Sequence, residues 1–229
     1  MRKAIRTAHQ LPRTDFLTRY LGVTEHVTEE QILVGHGASH LLALLLRALH
    51  PRSILLPTPA PHAYAEILEK ERIEMRPFAL DPEQGFTIDS EAFKESWQDA
   101  DAAVILNPHN PTGTTLSQTL IADLIQTSSE RDKLLIIDET LRDFTDNPSL
   151  AQQVVATPNA FVLRTFSTYH ALAGLRLGYI IGDEDILSHL EHIMEPRPVN
   201  SIAPPAALAS LKDKGYRKRT AEFLSAETE

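Results

Sequence analysis

Short apolar runs separated by helical patterns constrain this chain more than any other feature. "SILL" (53–56), "AAVIL" (102–106), "LLIID" (134–138), "AFVLRT" (160–165) and "GYIIG" (178–182) each read as a buried strand. Helical spacing fills the gaps. "SHLLALLLRALH" (39–50) is apolar nearly all round, which predicts a buried helix. "SQTLIADLIQTSSE" (117–130) carries an apolar stripe behind an N-cap serine, and "DILSHLEHIME" (185–195) reads as a third helix. Strand–helix alternation of this kind predicts an α/β fold, a three-layer sandwich around a mostly parallel sheet. "EPRPVNSIAPPAA" (195–207) is rich in proline and predicts a rigid connector before two terminal helices, 206–213 and 215–226. The expected organisation is a large domain over 1–195, then the connector and terminal helices over 196–229.

Composition narrows the classes of function. With 229 residues and 42% hydrophobic content, the chain is long enough for one sizeable core. It carries 22 basic and 31 acidic residues, a net charge of −9, and is a poor partner for nucleic acid or an anionic membrane. The absence of cysteine excludes disulfides, thiolate metal sites and cysteine nucleophiles. No apolar segment reaches the roughly 18–20 residues of a membrane span. The start, "MRKAIRTAHQLPRTDF", has no apolar run behind its charges, so no signal peptide is expected and the expected location is cytoplasmic.

Ligands of open α/β sheets bind outside the carboxyl ends of the strands. Here "LLPTPAPHAY", "ILNPHNPTG", "IIDET" and "LRTFST" each follow or close a strand. Any one of them reads as an ordinary turn, since "NPHNPTG" is dense in turn formers. Four polar loops at successive strand ends predict a shared pocket. Asp138 and Glu139 are adjacent in a strand, so their side chains should point to opposite faces and cannot act as a paired acid and base. His36 and His40 are four apart across a loop-to-helix junction, and no metal site is expected from them.

In order and spacing these loops resemble those of the fold-type I enzymes that use pyridoxal 5'-phosphate (PLP), the class I and II aminotransferases. The likeness is greatest to histidinol-phosphate aminotransferase and threonine-phosphate decarboxylase, and it covers the chain from about residue 11 onward. The resemblance implies a phosphate site made by the amides of Ala38 and Ser39 at a helix N-terminus, with Thr165, Ser167 and Arg176. It implies that Asn110 of "NPHNPTG" donates to the pyridine 3-oxygen. Asp138 of "IIDET" would pair with the protonated ring nitrogen, and the family's ring-stacking aromatic falls at Pro61 or His62, where His62 would stack if the local alignment slips by one. It also implies a homodimer with the cofactor at the subunit interface, and a small-molecule partner that is a phosphorylated ligand or an amino acid.

The departures fall in the same loops. Aligning "LAGLRLGY" puts Thr168 where the family has its Schiff-base lysine. A threonine hydroxyl forms no imine and is a very weak base at neutral pH. The lysines are Lys3, Lys70, Lys94, Lys133, Lys212, Lys214 and Lys218, none of them in a strand-end loop of the pocket. Thr14 and Leu141 stand where the family has tyrosines. His170, two residues past Thr168, is a candidate base by analogy with relatives that use histidine, though those carry it at the lysine position itself. The resemblance further implies that an N-terminal arm and a C-terminal small domain lie outside this sequence. Two functions remain open at this stage. One is aminotransferase-like chemistry on a phosphorylated or small amino acid. The other is a binding or regulatory domain that holds PLP or another phosphorylated ligand non-covalently and without turnover.

Overall fold

The structure, a computed structural model, describes residues 9–227. Seven strands form one sheet: β1 (Ile32–Gly35), β2 (Ser53–Thr58), β3 (Glu74–Ala79), β4 (Ala102–Leu106), β5 (Leu134–Asp138), β6 (Ala160–Thr165) and β7 (Gly178–Ile181). Their order is β1-β7-β6-β5-β4-β2-β3. Strand β7 runs antiparallel to both β1 and β6, and every other pair is parallel. The helices among the described residues are α1 (Asp15–Glu25), α2 (Ala38–Leu49), α3 (His62–Glu71), α4 (Ser90–Gln98), α5 (Gln118–Arg131), α6 (Ala151–Val155), α7 (Glu184–Ile193), α8 (Ala203–Leu211) and α9 (Lys214–Glu227).

The strands are apolar runs because both faces of the sheet are covered. Side chains alternate between the faces along a strand. Ala103, Ile105, Leu135, Ile137 and Val162 enter one apolar cluster, with Leu17 and Leu21 of α1, Phe93 and Trp97 of α4, and Ile121 and Leu124 of α5. Ala102, Val104, Leu134, Ile136, Phe161 and Leu163 enter the other, with the leucines of α2, Leu68 of α3, and Leu187 and Leu190 of α7. The result is the expected three-layer sandwich with a mostly parallel sheet. Helix α5 starts as its sequence predicts, with Ser117 Oγ accepting the Leu120 N–H at 3.2 Å. Asp183 caps α7 in the same way, accepting the N–H groups of Asp185 and Ile186.

Some boundaries differ from the sequence reading, for physical reasons. Strand β1 lies inside "QILVGHGASH", too short to stand out from the turn it feeds. Strand β3 is an exposed edge, where Pro77 is tolerated because an edge strand leaves one side unpaired. Helix α8 begins at Ala203, inside the proline-rich stretch. Pro204 and Pro205 occupy its first turn, where no N–H is required. Val199, Ala203 and Ala207 join the same cluster as Leu17 and Leu21, so this segment packs on the main core.

The sheet presses directly on the N-terminus of α2. A Cβ on Gly178 would stand 2.7 Å from both the Ala38 nitrogen and the Arg164 carbonyl oxygen, and backbone atoms cannot step aside as a side chain can. Gly178→Ala should therefore destabilise the fold by about 1–3 kcal/mol. Urea unfolding monitored by circular dichroism measures this, and an unchanged midpoint would show that the contact is not tight.

Candidate functional site

Period-two alternation sorts the residues at the strand ends into two neighbouring cavities. On β6 and the loop after it, Leu163, Thr165, Ser167 and Thr168 line the first cavity, of about 220 Å³. Ala38 and Ser39 reach it from the start of α2, Pro61, Ala63 and Tyr64 from α3 and the residue before it, and Asn110 from the loop after β4. Asp138 closes its floor from the end of β5, and Arg176 reaches it from the turn before β7. Arg164 and Phe166 point the other way and line the second cavity, of about 420 Å³, with Asp143, His170 and Tyr179. Thr165 borders both.

Ala38, Ser39, Asn110, Asp138, Thr165, Ser167, Thr168 and Arg176, singled out in the sequence, thus meet around one space. The other two do not. His62 is the first residue of α3 and faces solvent, its Nε2 3.5 Å from Glu66. His170 lies in the second cavity, with Nδ1 2.9 Å from Ser210 Oγ and Nε2 3.4 Å from Asp143. Among the described residues no lysine lines the first cavity. Lys133 is engaged elsewhere, donating to the carbonyls of Trp97, Gln98 and Ala100.

Two features shape the end of this cavity near Arg176. Gly37 has φ +84° and lies against the guanidinium of Arg176, where a Cβ would come within 3.3 Å of Nη2. Arg176 itself has φ 51°, a left-handed conformation that costs a non-glycine residue on the order of 1–2 kcal/mol and is retained where the surroundings impose it. At the other end Asp138 is 8% exposed and accepts a hydrogen bond on each oxygen. Its Oδ1 accepts the Thr140 N–H at 2.8 Å, and its Oδ2 accepts the phenol of Tyr64. Burial, with the Asp138 charge beside it, pushes the Tyr64 phenol well above its ordinary value, so it remains a donor. The sequence reading passed over Tyr64. The signal was its spacing: two residues turn a helix by about 200°, so with His62 outward Tyr64 faces the sheet.

Behind the cavity lies a buried charge cluster. Arg164 donates to Glu25 of α1 at 3.1 Å, to Glu139 at 3.4 Å and to the Tyr179 hydroxyl at 3.2 Å. Glu139 therefore faces away from Asp138, as adjacent strand residues should. Burial pushes Glu139 upward against the pull of Arg164. Asp143 moves the opposite way. Burial alone would raise it, but the hydrogen bond to His170 and the charge of Arg164 outweigh that and hold it at about 2.

The sequence profile described as "Aminotransferase class I and II" matches residues 9–228. The chain belongs to the class I and II aminotransferase family. A histidinol-phosphate aminotransferase of Roseiflexus castenholzii is 35% identical over 219 residues, covering 93% of this chain and 56% of that protein. The chain spans just over half the length of such curated relatives. Among solved structures, histidinol-phosphate aminotransferase from Sinorhizobium meliloti in complex with pyridoxal-5'-phosphate superposes with a TM-score of 0.89 at 20% identity, covering 98% of this chain and 62% of that one. L-threonine-O-3-phosphate decarboxylase from Porphyromonas gingivalis gives 0.77 at 20% identity, covering 94% and 63%. At such identities these likenesses speak to the fold alone.

The sign of the Asp143 shift sets a pH dependence. The native carboxyl titrates at about 2, below its ordinary value of 3.8, so the unfolded chain binds this proton more readily. The stability it contributes is complete above about pH 4 and is lost as the pH falls toward 2. Asp143→Asn should be less stable than the parent at pH 6 by about 2 kcal/mol, with the gap closing between pH 4 and pH 2. Urea unfolding across that range measures the gap, and a constant difference would contradict the assignment.

Proposed function

We propose that the chain is a ligand-binding domain of the aminotransferase fold that holds pyridoxal 5'-phosphate, or another phosphorylated small molecule, non-covalently and without Schiff-base turnover. The observation that carries this reading is the meeting of Ala38 and Ser39 at a helix N-terminus with Thr165, Ser167 and Arg176 around one cavity that no lysine lines among the described residues. Backbone amides, hydroxyls and a guanidinium suit a phosphate dianion. Asn110 and Asp138, farther along the same cavity, suit the oxygen and nitrogen of a pyridine ring. When bound, the cofactor supplies an electron sink for chemistry at an amino-acid carbon. Thr168 offers it a hydroxyl in place of an amine, so the chain binds and orients without forming a bond. The name of the Roseiflexus castenholzii relative supports a phosphorylated amine as the second ligand class. In this reading 1–195 form the large domain, 196–229 lead toward a small domain, and two copies pair as a homodimer.

Inorganic phosphate should raise the melting temperature, by about 2–4 °C per kcal/mol of binding free energy, and Arg176→Ala should remove most of the gain. An undiminished gain in the variant would refute the phosphate assignment. After incubation with PLP and borohydride, mass spectrometry should find residue 168 unmodified in the parent and covalently tagged in Thr168→Lys. Tagging of any native lysine within the pocket would overturn the non-covalent reading.

A further inference from the structure

The loop after β4 carries Asn110 into the first cavity and buries two of the residues before it. Asn107 and His109 are 4% and 2% exposed. Asn107 Oδ1 accepts the Leu116 N–H at 3.0 Å, which ties the start of the loop to its exit. His109 closes the loop from within. Its N–H donates to the Thr114 carbonyl at 2.7 Å, and its carbonyl accepts the Gly113 N–H at 2.8 Å. Its Nδ1 stands 2.8 Å from Thr112 Oγ1, which stands 2.9 Å from Thr114 Oγ1. In either neutral tautomer of the ring these three side chains form a chain of hydrogen bonds across the turn that Asn110 opens. Burial pushes the His109 ring below its ordinary value against a smaller pull from the Pro57 carbonyl, so the ring is neutral at pH 7. Its Nε2 is sealed from solvent and has no hydrogen-bond partner among the described residues. A buried polar atom left unpaired costs stability, and an apolar side chain of similar size would not bear that cost. What the imidazole contributes therefore lies at Nδ1, in the shape of the loop.

From this arrangement we infer that His109 is a positioning residue: it holds the loop after β4 so that the Asn110 carboxamide can donate to a ligand's ring oxygen, and it sets ring recognition without acting on the phosphate end. The inference deepens the ring-and-phosphate reading of the first cavity proposed above and rests on it. The residues assigned to phosphate come from α2, from the end of β6 with the loop after it, and from the turn before β7. The hydrogen bonds of His109 reach none of these. Losing the Nδ1 bond therefore loosens the Asn110 backbone while Ala38, Ser39, Ser167 and Arg176 keep their places. His109 and Asn110 act as one unit, so removing both costs no more than removing Asn110 alone.

Isothermal titration with PLP and, separately, with inorganic phosphate tests this on the parent, Asn110→Ala, His109→Leu, Thr112→Val, His109→Asn and the double variant His109→Leu/Asn110→Ala. Asn110→Ala, His109→Leu and Thr112→Val should each weaken PLP binding about three- to tenfold, the size of one hydrogen bond, with phosphate affinity unchanged. The double variant should lose no more than Asn110→Ala alone. His109→Asn, which still presents a polar group toward Thr112, should retain most of the parent's PLP affinity. Thr112 is only half-buried, so Thr112→Val decides the matter if His109→Leu fails to fold, and it then replaces His109→Leu in the double variant. Parent-like PLP binding in either His109→Leu or Thr112→Val, with Asn110→Ala weakened, would overturn the inference and leave the cavity reading standing. So would a matching loss of phosphate affinity, or losses that multiply in the double variant. PLP binding that Asn110→Ala leaves unchanged would overturn the ring reading and the inference with it. Binding of neither ligand by the parent would overturn both.

Discussion

Arg164 is charged, lies in β6 near the middle of the sheet, and is 3% exposed. A guanidinium in that position is tolerable only when surrounded by acceptors held in place, and breaking such a pair strands a buried charge at a cost of about 3–5 kcal/mol. The acceptors come from separate parts of the chain: Glu25 from α1, Glu139 from just past β5, Asp143 from the turn after it, and the Tyr179 hydroxyl from β7. Satisfying this one group fixes the ends of β5, β6 and β7 and the first helix relative to one another. The same strand ends carry Asp138 and Thr165 on the opposite face of the sheet. The first cavity therefore inherits its geometry from a charge cluster on the other face of the sheet.

Alternation along β5 and β6 is the device that separates the two roles. Asp138 faces the cavity and Glu139 the cluster; Leu163 and Thr165 face the cavity and Arg164 and Phe166 the cluster. Each strand end thus supplies one residue to the cavity and its neighbour to the charge cluster. On the α3 side it is the Tyr64 phenol that meets Asp138.

Much of this was legible in the sequence, and the reasons differ by residue. The central strands announce themselves because both faces are apolar; β4, β5 and β6 begin and end where their runs do. Strands β1 and β3 were not legible, one being four residues beside a glycine turn and the other an exposed edge containing a proline. The cavity residues could be assembled because they sit at strand ends, where topology brings polar loops together. His62 and His170 resisted that logic. One lies at a helix start, where a single step of 100° decides between cavity and solvent, and the other stands just before a bend at Ala171, whose φ of 54° no pattern of residue types signals.

Helix α9 has no buried side chain, and a solvated helix of its length is marginal on its own. Its Tyr216 hydroxyl nevertheless donates to the Tyr169 carbonyl, next to Thr168, and the two rings meet edge to face at 5.8 Å. The strip of chain beside Thr168 is thus fastened to one of the least protected elements of the fold. Amide hydrogen exchange in that strip should follow the fraying of α9 more closely than the opening of the sheet that lies beneath it.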